Sequence, residues 1–205
     1  MSRMFCAIFR FMENEPIKEA KTPKSTKQSF WELVRFVILA LVIVIPIRAF
    51  VAEPFVVSGN SMVPTFDNAN YLIVDKISYR ISDPKREDVI IFRYPKDETK
   101  FFIKRIIGLP NETVDIRGSA VTITNKEHSA GFILDEPYIK NISNDVMHLE
   151  LKNDEYFVMG DNRSGSSDSR YWGAVKKNLI TGRAFLRLLP IKKIGIWPGH
   201  YKQAK

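Results

Sequence analysis

Phe101-Phe102-Ile103-Lys104-Arg105-Ile106-Ile107, followed by Gly108-Leu109-Pro110-Asn111, is the stretch that decides the fold class. Aromatic and β-branched side chains in a short run, stopped by Gly, Pro and Asn, read as a β-strand. The same texture recurs on both sides. Upstream it appears at 54–57, 71–76 and 88–93, the last two separated by Asp83-Pro84-Lys85. Downstream, 114–116 and 121–124 flank Gly118 as in a hairpin, 155–159 leads into Gly160, and 180–189 supplies a late strand. Short runs punctuated in this way predict a mainly β, barrel-like or sandwich domain over 53–205. Residues 119–153 read as polar and irregular, and are expected to form a variable insertion.

Ahead of the strands lies the only strongly apolar segment. Residues 36–47 form an uninterrupted apolar run between Arg35 and Arg48. That run alone is shorter than the roughly 20 residues a spanning helix needs. Counting 30–52 gives enough length, with Trp31 as an interfacial anchor and the two arginines placed to snorkel. The expectation is a single transmembrane helix, with a buried core helix as the competing reading. A cleaved signal peptide fits less well, because no small-x-small site follows the run closely.

Residues 1–29 mix Arg3, Arg10, Lys18, Lys21, Lys24 and Lys27 with Pro16 and Pro23, a composition that cannot bury a core. They read as a polar tail, with a short apolar patch at 4–12 that could touch a membrane surface. Basic residues ahead of the span place the N-terminus in the cytoplasm and the large remainder outside it.

Composition narrows the function. A chain of 205 residues with 45% hydrophobic and 26% charged residues is ordinary for one folded domain with an appendage. The net charge of +8 admits nucleic acid or anionic lipid as partner. The basic residues are nevertheless interspersed with acids, no Lys/Arg run is long, and no nucleic-acid-binding motif is present, so no nucleic-acid partner is expected. Cys6 is the single cysteine, which excludes an intramolecular disulfide and a Cys-based metal site.

Three stretches carry candidate chemistry. In Ser58-Gly59-Asn60-Ser61-Met62-Val63-Pro64-Thr65-Phe66, Gly59 can take a positive φ and Pro64 stops a helix, so Ser61 sits on a turn able to present its hydroxyl. The plain alternative is a polar loop leaving the apolar segment. A serine needs a base, and His128, His148 and His200 stand in no motif-like context. Lysine is the other choice. Strand alternation puts Phe102, Lys104 and Ile106 on one face, where burial would lower the amine's pKa and let it accept a proton. The alternative is a charged lysine on a solvent face. The third stretch runs Gly160-Asp161-Asn162-Arg163-Ser164-Gly165-Ser166-Ser167-Asp168-Ser169-Arg170. It could hold a hydroxyl against the lysine and brace itself with an Asp–Arg pair, or be a surface loop. Its spacing does not match the EF-hand pattern, and neither a metal nor a cofactor is expected.

Together these stretches resemble the bacterial type I signal peptidases, membrane-anchored Ser/Lys endopeptidases. Ser61-Met62-Val63-Pro64-Thr65 resembles the family's nucleophile box, 71–76 the next box, 102–110 the general-base box, and Gly160-Asp161-Asn162-Arg163 with Ser166, Asp168, Ser169 and Arg170 the last. All stand in the family's order behind the apolar segment. The resemblance implies Ser61 as nucleophile, with its backbone N–H in the oxyanion hole, and Lys104 as general base. It implies that Ser166 orients the Lys104 amine, that Asp168 and Arg170 form a supporting salt bridge, and that Met62 helps to cover the site. Gly59, Phe102 and Ile103 fall in the substrate-binding vicinity. Some members carry a serine where this chain has Gly59, so that hydroxyl is missing here as a second oxyanion donor. Some also have a cysteine pair in the catalytic domain, which this chain lacks.

The implied substrates are signal-peptide-bearing preproteins exported by the Sec and Tat routes, cut after Ala-x-Ala-like sites. The implied location is the bacterial cytoplasmic membrane, with the catalytic domain outside it. A related Ser/Lys protease with one dedicated substrate, or a non-catalytic membrane-anchored binding module, are the alternatives.

Overall fold

A computed structural model describes residues 26–201. Most of the expected polar tail, the 4–12 patch and Cys6 lie outside the described residues. Thr26 to Ser29, read as the end of that tail, instead open the first helix. The chain divides into two compact units at Ile43/Val44.

Helix α1 spans Thr26–Pro46 and belongs largely to the first unit. From Phe36 to Ile45 apolar side chains on every side leave no polar stripe, unlike a surface helix of a soluble domain. Pro46 cannot donate a backbone hydrogen bond, and the helix loosens there into a π-helical turn, Ile47–Val51. Ser29–Val51 is long and apolar enough to cross a membrane, and none of it is buried. The competing reading of a buried core helix is thereby set aside.

The second unit carries the strands. In chain order they are β1 (Ala52–Val56), β2 (Tyr71–Asp75), a short α2 (Ser78–Ile81), β3 (Val89–Tyr94) and β4 (Asp97–Gly108). Next come β5 (Thr113–Gly118), β6 (Ala120–Thr124), β7 (Phe132–Ile133), β8 (Asp145–Glu150) and β9 (Glu155–Met159). A short α3 (Ser169–Trp172), β10 (Val175–Lys176), β11 (Ile180–Leu189) and β12 (Gly195–Ile196) complete the set. The larger sheet has the order β1-β2-β11-β3-β4-β9-β10, with β12 on β11. The smaller has the order β7-β6-β5-β8. The protein is mainly β, as expected.

The anticipated hairpin is β5–β6, turning at Gly118 and Ser119 with Arg117 opposite Ala120. The irregular insertion expected at 119–153 is corrected by the structure. It contains β6, β7 and β8, and so supplies three of the four strands of the smaller sheet. Met147 and Leu149 pack on the core from β8 while Val146, His148 and Glu150 face outward, a period-2 pattern diluted by polar neighbours.

Strand β4 ties the unit together, because it contributes to all three apolar clusters. Ile107 packs with Val114, Ile116 and Phe157 between the two sheets. Ile103 lies against Val57, Met62 and Leu72, and Ile106 against Ile90, Phe92 and Val158. From Lys104 to Gly108 both faces of the strand are covered, so Lys104 and Arg105 are buried too.

Candidate active site

Ser61 stands on a turn that follows β1. Gly59 takes φ +89°, a left-handed conformation natural only to glycine, and its N–H donates to Asn68 Oδ1 at 3.0 Å. Met62 and Phe66, both buried with Val57 and Leu72, pin the far side of the turn in the core. The hydroxyl of Ser61 is left pointing away from that core towards β4.

Lys104 meets it there. Its Nζ lies 2.7 Å from Ser61 Oγ, in hydrogen-bond contact. The residue is only 4% exposed, so the solvent-face alternative fails. Nζ lies 5.4 Å from the centre of the Phe102 ring, on the face where alternation placed both residues. Burial disfavours the ammonium and brings its pKa down to about 8, although the Asp168 and Asp161 carboxylates pull the other way.

The loop after β9 grips the Ser61 turn from the opposite side. Asn162 donates its backbone N–H to Ser61 O at 3.0 Å and its side-chain Nδ2 to Asn60 O at 3.1 Å. Gly160 is what allows this approach. A Cβ there would lie 2.4 Å from Ser61 O and 2.3 Å from Ser166 Oγ, closer than any side chain tolerates. Asp168 and Arg170 form the expected pair, with Nε–Oδ1 and Nη2–Oδ2 both 2.8 Å. Asp168 Oδ2 also accepts from Gly160 N–H at 3.0 Å, which fixes the entry of the loop. Ser166 is buried beside Gly160, but its hydroxyl has no hydrogen-bond partner among the described residues. The expected bond from Ser166 to the Lys104 amine is therefore not formed in this structure, where the amine bonds Ser61.

Three ion pairs in this region are not foreseen from the sequence, one of them Arg170 with Asp145. Arg105 and Asp161, 0% and 1% exposed, bond through Nε–Oδ1 at 2.9 Å and Nη2–Oδ2 at 2.7 Å. Thr65, four residues past Ser61, donates to the same Asp161 carboxylate. Arg105 also donates to Glu87 O and Gly199 O and stacks its guanidinium 3.9 Å from the Tyr138 ring centre. Arg163 pairs with Glu136, which lies in the stretch read as an irregular insertion. The motif residues Arg105, Asp161 and Arg163 were in view, but nothing local to them names their partners.

A groove of about 540 Å³ leads away from Ser61 and Lys104. One wall is Phe55 to Asn60, with Gly59 in it, and the other is Lys100 to Ile103, with Phe102 in it; Leu72 and Ile91 form part of the lining. Four antiparallel pairings separate β1 from β4, through β2, β11 and β3, so the two strands run parallel. Among the described residues β4 pairs with β9 only from Arg105 onward, and β1 pairs only with β2. The groove is thus flanked by two strand edges whose outer backbone groups have no strand partner among the described residues. Among the described residues no cluster of His, Cys, Asp and Glu is arranged to hold a metal ion.

The family described as signal peptidase, peptidase S26, matches residues 30–189 of this chain. A probable signal peptidase I-2 of Synechocystis is 37% identical, over 90% of this chain and 85% of that protein. The signal peptidase I of Leptolyngbya laminosa is 35% identical, over 89% of this chain and 91% of that protein. The signal peptidase I of Bacillus caldolyticus is 34% identical, over 76% and 89% respectively. A crystal structure of a signal peptidase I from Enterococcus faecalis V583 overlaps 50% of this chain and 97% of its own, at 32% identity and a TM-score of 0.42. The family match and the sequence relatives place the chain among the serine endopeptidases. It belongs to the peptidase S26 family of signal peptidases.

Proposed function

We propose that this enzyme removes N-terminal signal peptides from exported preproteins, with Ser61 as nucleophile and Lys104 as its general base. The observation that carries the mechanism is the 2.7 Å contact between the Ser61 hydroxyl and a buried amine whose pKa is brought down to about 8. A neutral Lys104 takes the Ser61 proton as Oγ attacks the scissile carbonyl. The oxyanion that forms is held by the Ser61 N–H. The Lys104 ammonium then protonates the departing amine, leaving an acyl-enzyme on Ser61. Neutral again, Lys104 deprotonates the water that hydrolyses this ester.

The groove supports the substrate class. An extended peptide laid between two unpaired strand edges can bond its backbone to both, as strand addition does elsewhere. The walls beside Ser61 are largely backbone and apolar side chains, suited to small residues at −1 and −3 of a signal peptide. Ser61 follows Ala52, the first residue of β1, by nine positions. With α1 as a single-pass anchor in the cytoplasmic membrane, N-terminus inside, the catalytic unit works at the outer face, where Sec- and Tat-exported precursors emerge.

A precursor with alanines at −1 and −3, incubated with the detergent-solubilised full chain, is expected to be cut at that site. Replacing both by leucine should lower kcat/KM by about 100-fold or more, since the side chains no longer fit the shallow walls. Equal cleavage of the two precursors would contradict the substrate assignment.

A further inference from the structure

We propose that the segment 136–145, running from after β7 to the first residue of β8, is a brace that positions the nucleophile, and that Asn141 is its positioning residue. The inference rests on Ser61 being the nucleophile, and it concerns residues outside the four stretches that carry the family resemblance.

The contacts form a chain. Asn141 Nδ2 donates to Asn162 Oδ1 at 3.0 Å, and Asn162 Nδ2 donates to Asn60 O at 3.1 Å. The Asn162 amide is therefore engaged at both ends, by Asn141 on one side and by the residue before the nucleophile on the other. The backbones join as well: Arg163 N–H donates to Asn141 O at 3.1 Å, and residues 141 and 162 form an isolated parallel bridge. Glu136 holds the guanidinium of Arg163, which donates through Nε to Gly160 O at 3.2 Å. At the far end of the brace, Ser143 and Asp145 accept from Arg170.

The brace meets a physical need. A serine on a turn must be held to within about half an ångström of its base, and turns do not achieve this without support from a rigid element. Strands β5, β6 and β8 are hydrogen-bonded into one sheet, and 136–145 ties that sheet to the loop at 160–163. Asn141 is exposed, so its amide adds little to packing. Its role is directional. It offers a donor to Asn162 Oδ1, and so keeps the Asn162 NH2 group turned towards Asn60. Without that donor the Asn162 amide is free to rotate, and its hold on the backbone before Ser61 weakens.

The test uses the full chain in detergent with the alanine-bearing precursor. Asn141→Ala is expected to lower kcat by about 3- to 10-fold, the loss of one positioning hydrogen bond, with KM and melting temperature unchanged. Asn141→Asp, equal in shape but lacking the donor, should lose at least as much. In an Asn162→Ala background, adding Asn141→Ala should cost nothing further, because both act through one contact. Hydrogen exchange supplies a readout independent of cleavage: amides of 58–63 should exchange faster in Asn141→Ala, while those of β5 and β6 stay unchanged. Wild-type kcat in both Asn141 variants, additive losses with Asn162→Ala, or unchanged exchange at 58–63 would overturn the brace. If the wild type cuts no precursor, the signal-peptidase reading fails, and the exchange result still decides on the brace.

Discussion

Replacing Lys104 by methionine should abolish cleavage almost completely while leaving the fold intact. The side chain is 4% exposed, near the Phe102 ring, and its amine pays for burial in a depressed pKa of about 8. Methionine has nearly the same length and no charge to desolvate, so the melting temperature is expected to stay level or rise. On the proposed mechanism, catalysis depends on the amine that methionine lacks. With no group to take the Ser61 proton, turnover should fall by roughly three to six orders of magnitude, the range seen when one member of a nucleophile–base pair is removed. Ser61→Ala should give a loss of the same order, and the double variant should be no worse than either single one. Substantial activity in Lys104→Met would mean that another group is the base.

The second large effect concerns stability. Asp161→Ala leaves the guanidinium of Arg105, 0% exposed, without its carboxylate. Its remaining acceptors among the described residues, Glu87 O and Gly199 O, are neutral carbonyls and cannot balance the charge. Removing one member of a buried pair in this way costs about 3–5 kcal/mol, which for a chain of this size lowers the melting temperature by roughly 10 °C. Activity should fall too, because Thr65 loses its acceptor and the Ser61 turn loses an anchor. Changing Arg105 to methionine in the same molecule should restore part of the lost stability, since no unpaired charge then remains. A thermal denaturation series over the wild type, the single and the double variant checks this. A shift in Asp161→Ala of only a degree or two would show that the pair is not the anchor described.

How far these features were legible depends on how local their signals are. The run 155–159 appears as β9 and 180–189 as β11, because each is a dense apolar stretch bounded by turn residues. The face shared by Phe102, Lys104 and Ile106 also followed from alternation, and it is what brings Lys104 under the Ser61 turn. Arg105 could not be read in the same way. Alternation puts it on the opposite face, and a charged residue there suggests solvent, but Asp161, Tyr138 and Tyr201 cover it. Its partner Asp161 is 56 residues away, and no periodicity links the two. The brace at 136–145 was missed for the same reason. Its polar residues look like an irregular insertion until the loop at 160–170, to which they bond, is folded beside them. Strand β8 was the more avoidable omission, since Met147 and Leu149 alternate with His148 and Glu150.

The claim that Lys104 acts as a neutral base is tested most directly by the pH dependence of kcat/KM for the alanine-bearing precursor. Burial lowers the Lys104 pKa, so the active, unprotonated form gains population as pH rises towards and through about 8. The rate should climb about tenfold per pH unit below that midpoint and level off above it. Far above the midpoint no further gain is expected, because the amine is already neutral. A profile that stays flat across the same range, or falls as pH rises, would contradict the assignment of Lys104 as the base.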